Sequence, residues 1–185
     1  MIPYFTSYEF TAGFDRPFSF GDHGCSVGYL DSRKEMLRRY KNENEIRELV
    51  AAFENASISR DEWKHAEHMV VALWYLEEHD LGTATEMMRA GILNLLEKGF
   101  GVDLAKEMPY NETVTVFWMR TVYGYRLLHP DETLTEKANG LIESFDKDHP
   151  FAFYSRDRLL SDEARAAYIE PDLAQTRRGY VIGQG

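Results

Sequence analysis

Residues 60–78, RDEWKHAEHMVVALWYLEE, decide the fold predicted for this chain. On a helical wheel, with about 100° per residue, Met69 and Leu73 lie on one arc while Val71 and Trp74 lie across from it. A helix that is apolar on two sides needs other helices to cover both of them. We therefore place this segment at the centre of a helical bundle.

Capping patterns and apolar spacing predict the remaining helices. Three Ser/Thr-x-x-Glu capping boxes and several Asn or Ser caps mark their starts, and Gly, Asn or Pro mark their ends. The first predicted helix occupies residues 31–40, and the second is capped by Asn42 or Asn44 and stops near Asn55. The next three occupy residues 60–78, capped by Ser59, residues 83–98, capped by Thr83, and residues 112–128, capped by Asn111. The last two run from Thr133 to about residue 146 and over residues 162–169, capped by Ser161. Strands are nearly absent. The sequence therefore predicts an all-α fold, a compact single-domain bundle of five to seven helices.

Three regions differ in composition. Residues 1–30 hold eight aromatic side chains interrupted by glycine and proline, which favours an irregular aromatic N-terminal arm. Residues 31–175 form the predicted helical domain, and residues 176–185 form a predicted mobile tail. An aromatic arm is too apolar to stay in water, so it either packs on its own domain or exchanges with a second subunit.

Charge and composition narrow the class of protein. Lys and Arg total 21 against 31 Asp and Glu, a net charge of -10, so we expect no nucleic-acid partner and no membrane surface. A single cysteine, Cys25, rules out an internal disulfide framework. No segment reaches 18 apolar residues and no signal peptide is recognisable, so we expect a cytoplasmic protein.

One pair of residues is a candidate for chemistry. His65 and His68 lie between the two apolar sides of the central helix, three residues apart, with β-carbons about 5 to 6 Å apart. Two imidazoles so placed can bind one cation, and a carboxylate from a facing helix would complete a two-histidine, one-carboxylate set. Nitrogen and oxygen ligands suit a divalent metal, namely zinc, iron or manganese, and the sequence does not choose among them.

Glu112 is the carboxylate that we nominate. It opens an otherwise apolar helix, where it serves either as third metal ligand or catalytic base, or simply as a favourable acid at a helix N-terminus. Tyr110 and Tyr75 are predicted to orient these groups. The structural alternative is a histidine cluster that completes the core and bonds to Asp61, Tyr75 or Tyr110.

Several segments resemble a bacterial helical family with no assigned activity. The resemblance covers roughly residues 45–173 and rests on a Trp-x-His-x-x-His motif at Trp63, a Tyr-x-Glu-Thr motif at Tyr110, and the closing segments Tyr154 to Leu160, Ala164-Arg165 and Glu170-Pro171-Asp172. If the resemblance implies a metal or acid/base site, that site falls on His65, His68 and Glu112. A histidine often precedes the glutamate in this family, and Asn111 stands there instead, which removes one possible ligand.

Two functional hypotheses follow. In the first, the protein is a small-molecule enzyme that uses the His65, His68 and Glu112 site and is either metal-dependent or an acid/base catalyst. In the second, it is a non-catalytic protein-interaction or homodimerisation module, with contact through residues 1–30 and with histidines that are structural.

Overall fold

The structure is a computed structural model and describes residues 39–173. The described residues from Tyr40 to Leu173 belong to one compact unit. The predicted arm, most of the predicted helix at 31–40 and the predicted tail beyond residue 175 lie outside the described residues, and the described end of that helix, Arg39 and Tyr40, is not helical.

The described residues are all-α, with seven α-helices and no strands, which confirms the predicted fold class. The helices are α1 (Glu43–Glu54), α2 (His65–Glu78), α3 (Leu81–Asn94), α4 (Glu112–Leu128), α5 (Leu134–Ser144), α6 (Arg156–Leu159) and α7 (Asp162–Ala166). A π-helical turn (Leu95–Gly99) extends α3, and a 3-10 turn (His149–Ala152) precedes α6. None of these helices is long and apolar enough to cross a membrane.

Helix α2 is the centre of the bundle, as its two apolar sides predict. It packs against α1, α3, α4 and α5. Residues from both sides of α2, including Met69, Val71 and Leu73, are almost completely buried. Burial on both sides fixes the orientation of α2 about its axis, and so fixes where its polar residues lie.

The start of α2 differs from the prediction. Ser59 and Glu62 form the reciprocal hydrogen bonds of a capping box, yet they close a turn, and the helix begins at His65 instead of residue 60. Trp63 is buried and stacks on Phe53 of α1, with 4.7 Å between ring centroids. The backbone is extended at Lys64, immediately after this buried indole. Packing of Trp63 therefore outweighs the local helix signal.

Helix α3, in contrast, begins earlier than predicted. Asp80 is its N-cap and accepts from the Thr83 backbone amide at 3.0 Å, so Thr83 lies inside the first turn instead of capping it. Asp ranks above Thr as an N-cap residue, so intrinsic cap preference favours Asp80 over Thr83. The predicted caps Asn42, Asn111 and Thr133 are all confirmed.

The segment after α7 crosses the first turn of α4. The Thr113 hydroxyl donates to the Ala167 carbonyl at 2.9 Å and accepts from the Ile169 amide at 3.1 Å. The Tyr154 hydroxyl donates to the Ile169 carbonyl at 2.9 Å. These bonds fasten the end of the described chain over the N-terminal end of α4. We call residues 167–173 the C-terminal strap.

Candidate functional site

His65 is the first residue of α2 and is partly buried. Its Nε2 lies 3.2 Å from the carbonyl oxygen of Phe145, and its ring centroid lies 4.5 Å from that of Trp118 on α4. A carbonyl only accepts, so Nε2 carries the proton. Burial lowers the pKa of His65, against the Phe145 hydrogen bond and the nearby Asp146, which both raise it. His65 is therefore neutral at pH 7.

His68 lies one turn further along α2. Its Nδ1 donates to the Lys64 carbonyl at 2.8 Å, and its ring packs on Trp63 at 4.0 Å between centroids. Burial, with a smaller contribution from the neighbouring His65, lowers the pKa of His68 to about 4, against the Lys64 hydrogen bond, which raises it. Among the described residues, the hydrogen bonds of both imidazoles go to backbone carbonyls, and neither goes to Asp61, Tyr75 or Tyr110.

Glu112 is buried at the start of α4 and is held by two other residues. The Arg89 guanidinium of α3 donates to both carboxylate oxygens, with Nε 2.9 Å from Oε2, and the Tyr110 hydroxyl donates to Oε2 at 2.6 Å. The Arg89 bonds lower the pKa of Glu112, against burial, which raises it. Burial and the carboxylate raise the pKa of the Tyr110 phenol, so Tyr110 stays a donor. The predicted proximity of Tyr110 and Glu112 is present.

Tyr75 lies away from these groups. Its hydroxyl donates to the Glu54 carboxylate on α1 at 3.3 Å, and its ring contacts Phe53. In the described residues Tyr75 makes no hydrogen bond to a histidine or to Glu112.

The predicted metal ligands have no joint site in the described part of the chain. Between residues 39 and 173, no group of three or more His, Cys, Asp or Glu side chains could hold a metal ion. Glu112 also has both oxygens occupied by an Arg89 fork, which neutralises its charge. The donor set that zinc, iron or manganese would need at His65, His68 and Glu112 is therefore unsupported here.

His65 belongs instead to a contiguous group of rings on α2, α4 and the segment after α5. Each ring contacts at least one other, with centroid separations of 5.0 Å for Phe145 and His149, 5.2 Å for Phe117 and Phe153, and 6.1 Å for Trp118 and His149. All six residues are partly exposed, and four of them also pack against the hydrophobic core: Trp118, Phe145, Phe117 and Phe153. We call this group the aromatic patch; its members are His65, Phe117, Trp118, Phe145, His149 and Phe153.

The sequence singled out only His65 in this patch, and His149 is among the five members that it missed. Its position beside Pro150 suggests only a helix-end partner, yet its ring contacts four aromatic rings. Burial lowers the pKa of His149, against Asp146, which raises it. Phe151 and Phe153, which follow Pro150, were the available signal that this segment packs on other rings.

Arg89 was also missed. It lies 23 residues before Glu112, and no local pattern links a cation on one helix with a carboxylate at the start of the next.

Comparisons with other proteins give no match that would identify this site. No family model matches the chain, and no curated protein or solved structure is significantly similar to it.

Proposed function

We propose that this chain is a non-catalytic homodimerisation module whose docking surface is the aromatic patch. The observation that carries the proposal is the patch itself, six residues connected by pairwise ring contacts and all partly exposed. Aromatic side chains contribute large contact areas at low entropy cost and are enriched where protein surfaces meet.

The hydrogen bonding of the predicted catalytic groups supports the same proposal. Glu112 is neutralised by Arg89, and His65 and His68 each use a ring nitrogen on a backbone carbonyl. A carboxylate with a lowered pKa and two occupied oxygens is a poor general base. The enzymatic hypothesis therefore has less support than the second hypothesis, in which the histidines are structural.

A second copy of the chain is the partner to which we commit. In a two-fold contact the same patch meets itself, and flat rings can pack against each other in offset or edge-to-face pairs. The predicted contact through residues 1–30 is a separate route to the same assembly and needs its own test.

Sedimentation equilibrium over a wide range of protein concentrations tests this proposal. We expect a monomer–dimer equilibrium, and we expect His149→Asp to raise the dimer Kd about tenfold or more, because a carboxylate would be buried among rings. His79→Asp is the matched control, since His79 is exposed at the end of α2, and it should leave the Kd unchanged.

Two results would overturn the proposal. The first is a monomer at every concentration. The second is a dimer that His149→Asp leaves intact and that deletion of residues 1–30 abolishes, because the contact would then be through the arm.

A further inference from the structure

The C-terminal strap has no hydrogen-bonded backbone structure of its own. Its residues belong to no helix or strand, and among the described residues no backbone hydrogen bond joins one strap residue to another. Its backbone groups bond instead to the rest of the fold. Besides the bonds already described, the Glu170 carbonyl accepts from Nε of Arg158 at 2.9 Å, and the Leu173 amide donates to the Phe153 carbonyl at 3.0 Å. An extended segment held through its main chain is held as a bound peptide is.

One side chain of the strap is buried. Ile169 is 7% exposed and packs in a small apolar cluster with Tyr154, Leu159 and Ala164. The other strap residues are exposed or partly exposed. In peptide recognition, main-chain hydrogen bonds supply affinity and a side-chain pocket supplies specificity. The pocket around Ile169 therefore selects a branched aliphatic side chain and leaves its neighbours free to vary.

Asp172 makes a second specific contact. Its carboxylate accepts hydrogen bonds from the hydroxyl and the backbone amide of Ser155, the latter at 2.7 Å. These bonds lower the pKa of Asp172, so it is ionised at neutral pH. Hydrogen bonds to an ionised acceptor are stronger than those between neutral groups. The strap is therefore read at two positions, an aliphatic residue and an acid three residues later.

Side chains from two helices and the segment between them and the strap line the groove that holds it. Thr113 of α4 is 0% exposed and uses its hydroxyl as both donor and acceptor on the strap. Tyr154, 1% exposed, donates to a strap carbonyl, as does Arg158 of α6. A buried hydroxyl that loses its partner is destabilising. These groups therefore favour a groove that is filled by an extended backbone. We call this surface the strap groove.

We propose that the strap groove is a peptide-binding site, which the strap fills in cis. The partner is a protein that presents an extended segment with a branched aliphatic residue followed three positions later by an acid. This inference does not depend on homodimerisation through the aromatic patch. A tethered segment competes at an effective concentration of about a millimolar, so the strap holds the groove closed to weak external peptides.

Fluorescence anisotropy with a labelled peptide of residues 167–173 tests the proposal on the full chain. The Ile169→Ser/Asp172→Ala double variant keeps the strap backbone but loses both specific contacts, so it should bind the peptide at least tenfold more tightly than the unmodified chain. Asp157→Ala removes an exposed acid of α6 instead and is the matched control, which should bind as weakly as the unmodified chain.

Two further measurements test the mode of binding in the double variant. A peptide that itself carries Ile169→Ser should bind roughly tenfold more weakly, because the pocket stays empty. Thr113→Val, which removes the hydroxyl that grips the backbone, should weaken binding of the original peptide by a similar factor.

Three results would overturn the peptide site. The first is equal binding by the double variant and the unmodified chain. The second is equal binding of the original and the serine-containing peptide. The third is loss of the helical circular dichroism signal in the double variant, because the strap would then be an inseparable part of the fold and not a ligand of it.

Discussion

Glu112 connects three parts of the fold through one side chain. Its carboxylate joins Arg89 of α3 to the start of α4, and it also accepts a hydrogen bond from the hydroxyl of Tyr110 in the preceding loop. A buried charge is tolerated as long as its partners are present. If the charge is removed, its partner stays buried without a counter-charge, which lowers the stability of the fold. Its structural role is therefore to hold α3 against the start of α4.

Glu112→Gln should lower the free energy of unfolding by about 1 to 3 kcal/mol, because the Arg89 guanidinium loses its bidentate partner in a half-buried position. Urea denaturation at neutral pH measures this change. Glu86→Gln is the control. Glu86 pairs with the same guanidinium, but its side chain is 73% exposed, so its loss should change stability little. Equal effects of the two variants would show that the buried pair adds nothing.

At the scale of elements, Gly91 of α3 marks a close approach between α1 and α3. A Cβ added at Gly91 of α3 would lie 2.3 Å from Cε1 of Phe53 on α1. Phe53 is completely buried and stacks on Trp63, so its ring cannot move aside without disturbing the core. The absence of a side chain at Gly91 is what lets these two helices pack.

Gly91→Ala should destabilise the fold by about 1 to 3 kcal/mol through overpacking, which exceeds the roughly 1 kcal/mol that alanine gains in helix propensity. Gly124→Ala is the matched control within α4. Apart from its chain neighbours and the backbone of its own helix, no atom lies within 4 Å of its added Cβ, so the same change should stabilise by up to about 1 kcal/mol. Thermal melts of the two variants should move in opposite directions, and a Gly91→Ala melt above that of the unmodified chain would contradict the steric argument.

Local sequence predicts most helix ends in this chain and few of the contacts between helices. Asn111 and Thr133 are correct caps because the bonds they make span only three residues. The predicted start of α2 is wrong because Trp63 stacks on Phe53, which is a contact between two separate elements. The Phe145 carbonyl that receives the His65 hydrogen bond lies 80 residues away. Only the assembled bundle determines such pairings.

At the scale of the whole molecule, three partly buried histidines link stability to pH. The pKa values of His65, His68 and His149 are all lowered in the folded chain, with His68 at about 4. An unfolded histidine takes up a proton near pH 6.5. Between these values the unfolded state binds more protons than the folded state, so the free energy of unfolding falls as the pH drops below about 6.5.

His68 alone should make the fold about 2 kcal/mol less stable at pH 5 than at pH 7.5. Most carboxylates are still ionised at about pH 5, so this window isolates the histidines. Urea denaturation at both pH values measures the difference, and His68→Gln should remove most of it. His79→Gln should keep the full difference, since His79 is exposed. A pH-independent free energy of unfolding in the unmodified chain would contradict this account.

The C-terminal strap limits how far the chain can be shortened. Thr113 is 0% exposed, and its hydroxyl depends on two backbone groups that lie 54 and 56 residues later. A truncation before Ala167 would leave that hydroxyl without its two hydrogen-bond partners. It would also remove the carbonyl that accepts the hydrogen bond of the buried Tyr154 hydroxyl. The Leu173 amide also donates to the Phe153 carbonyl at 3.0 Å, so any minimal version of the protein for crystallisation should retain every residue through Leu173, even though the last described helix ends at Ala166.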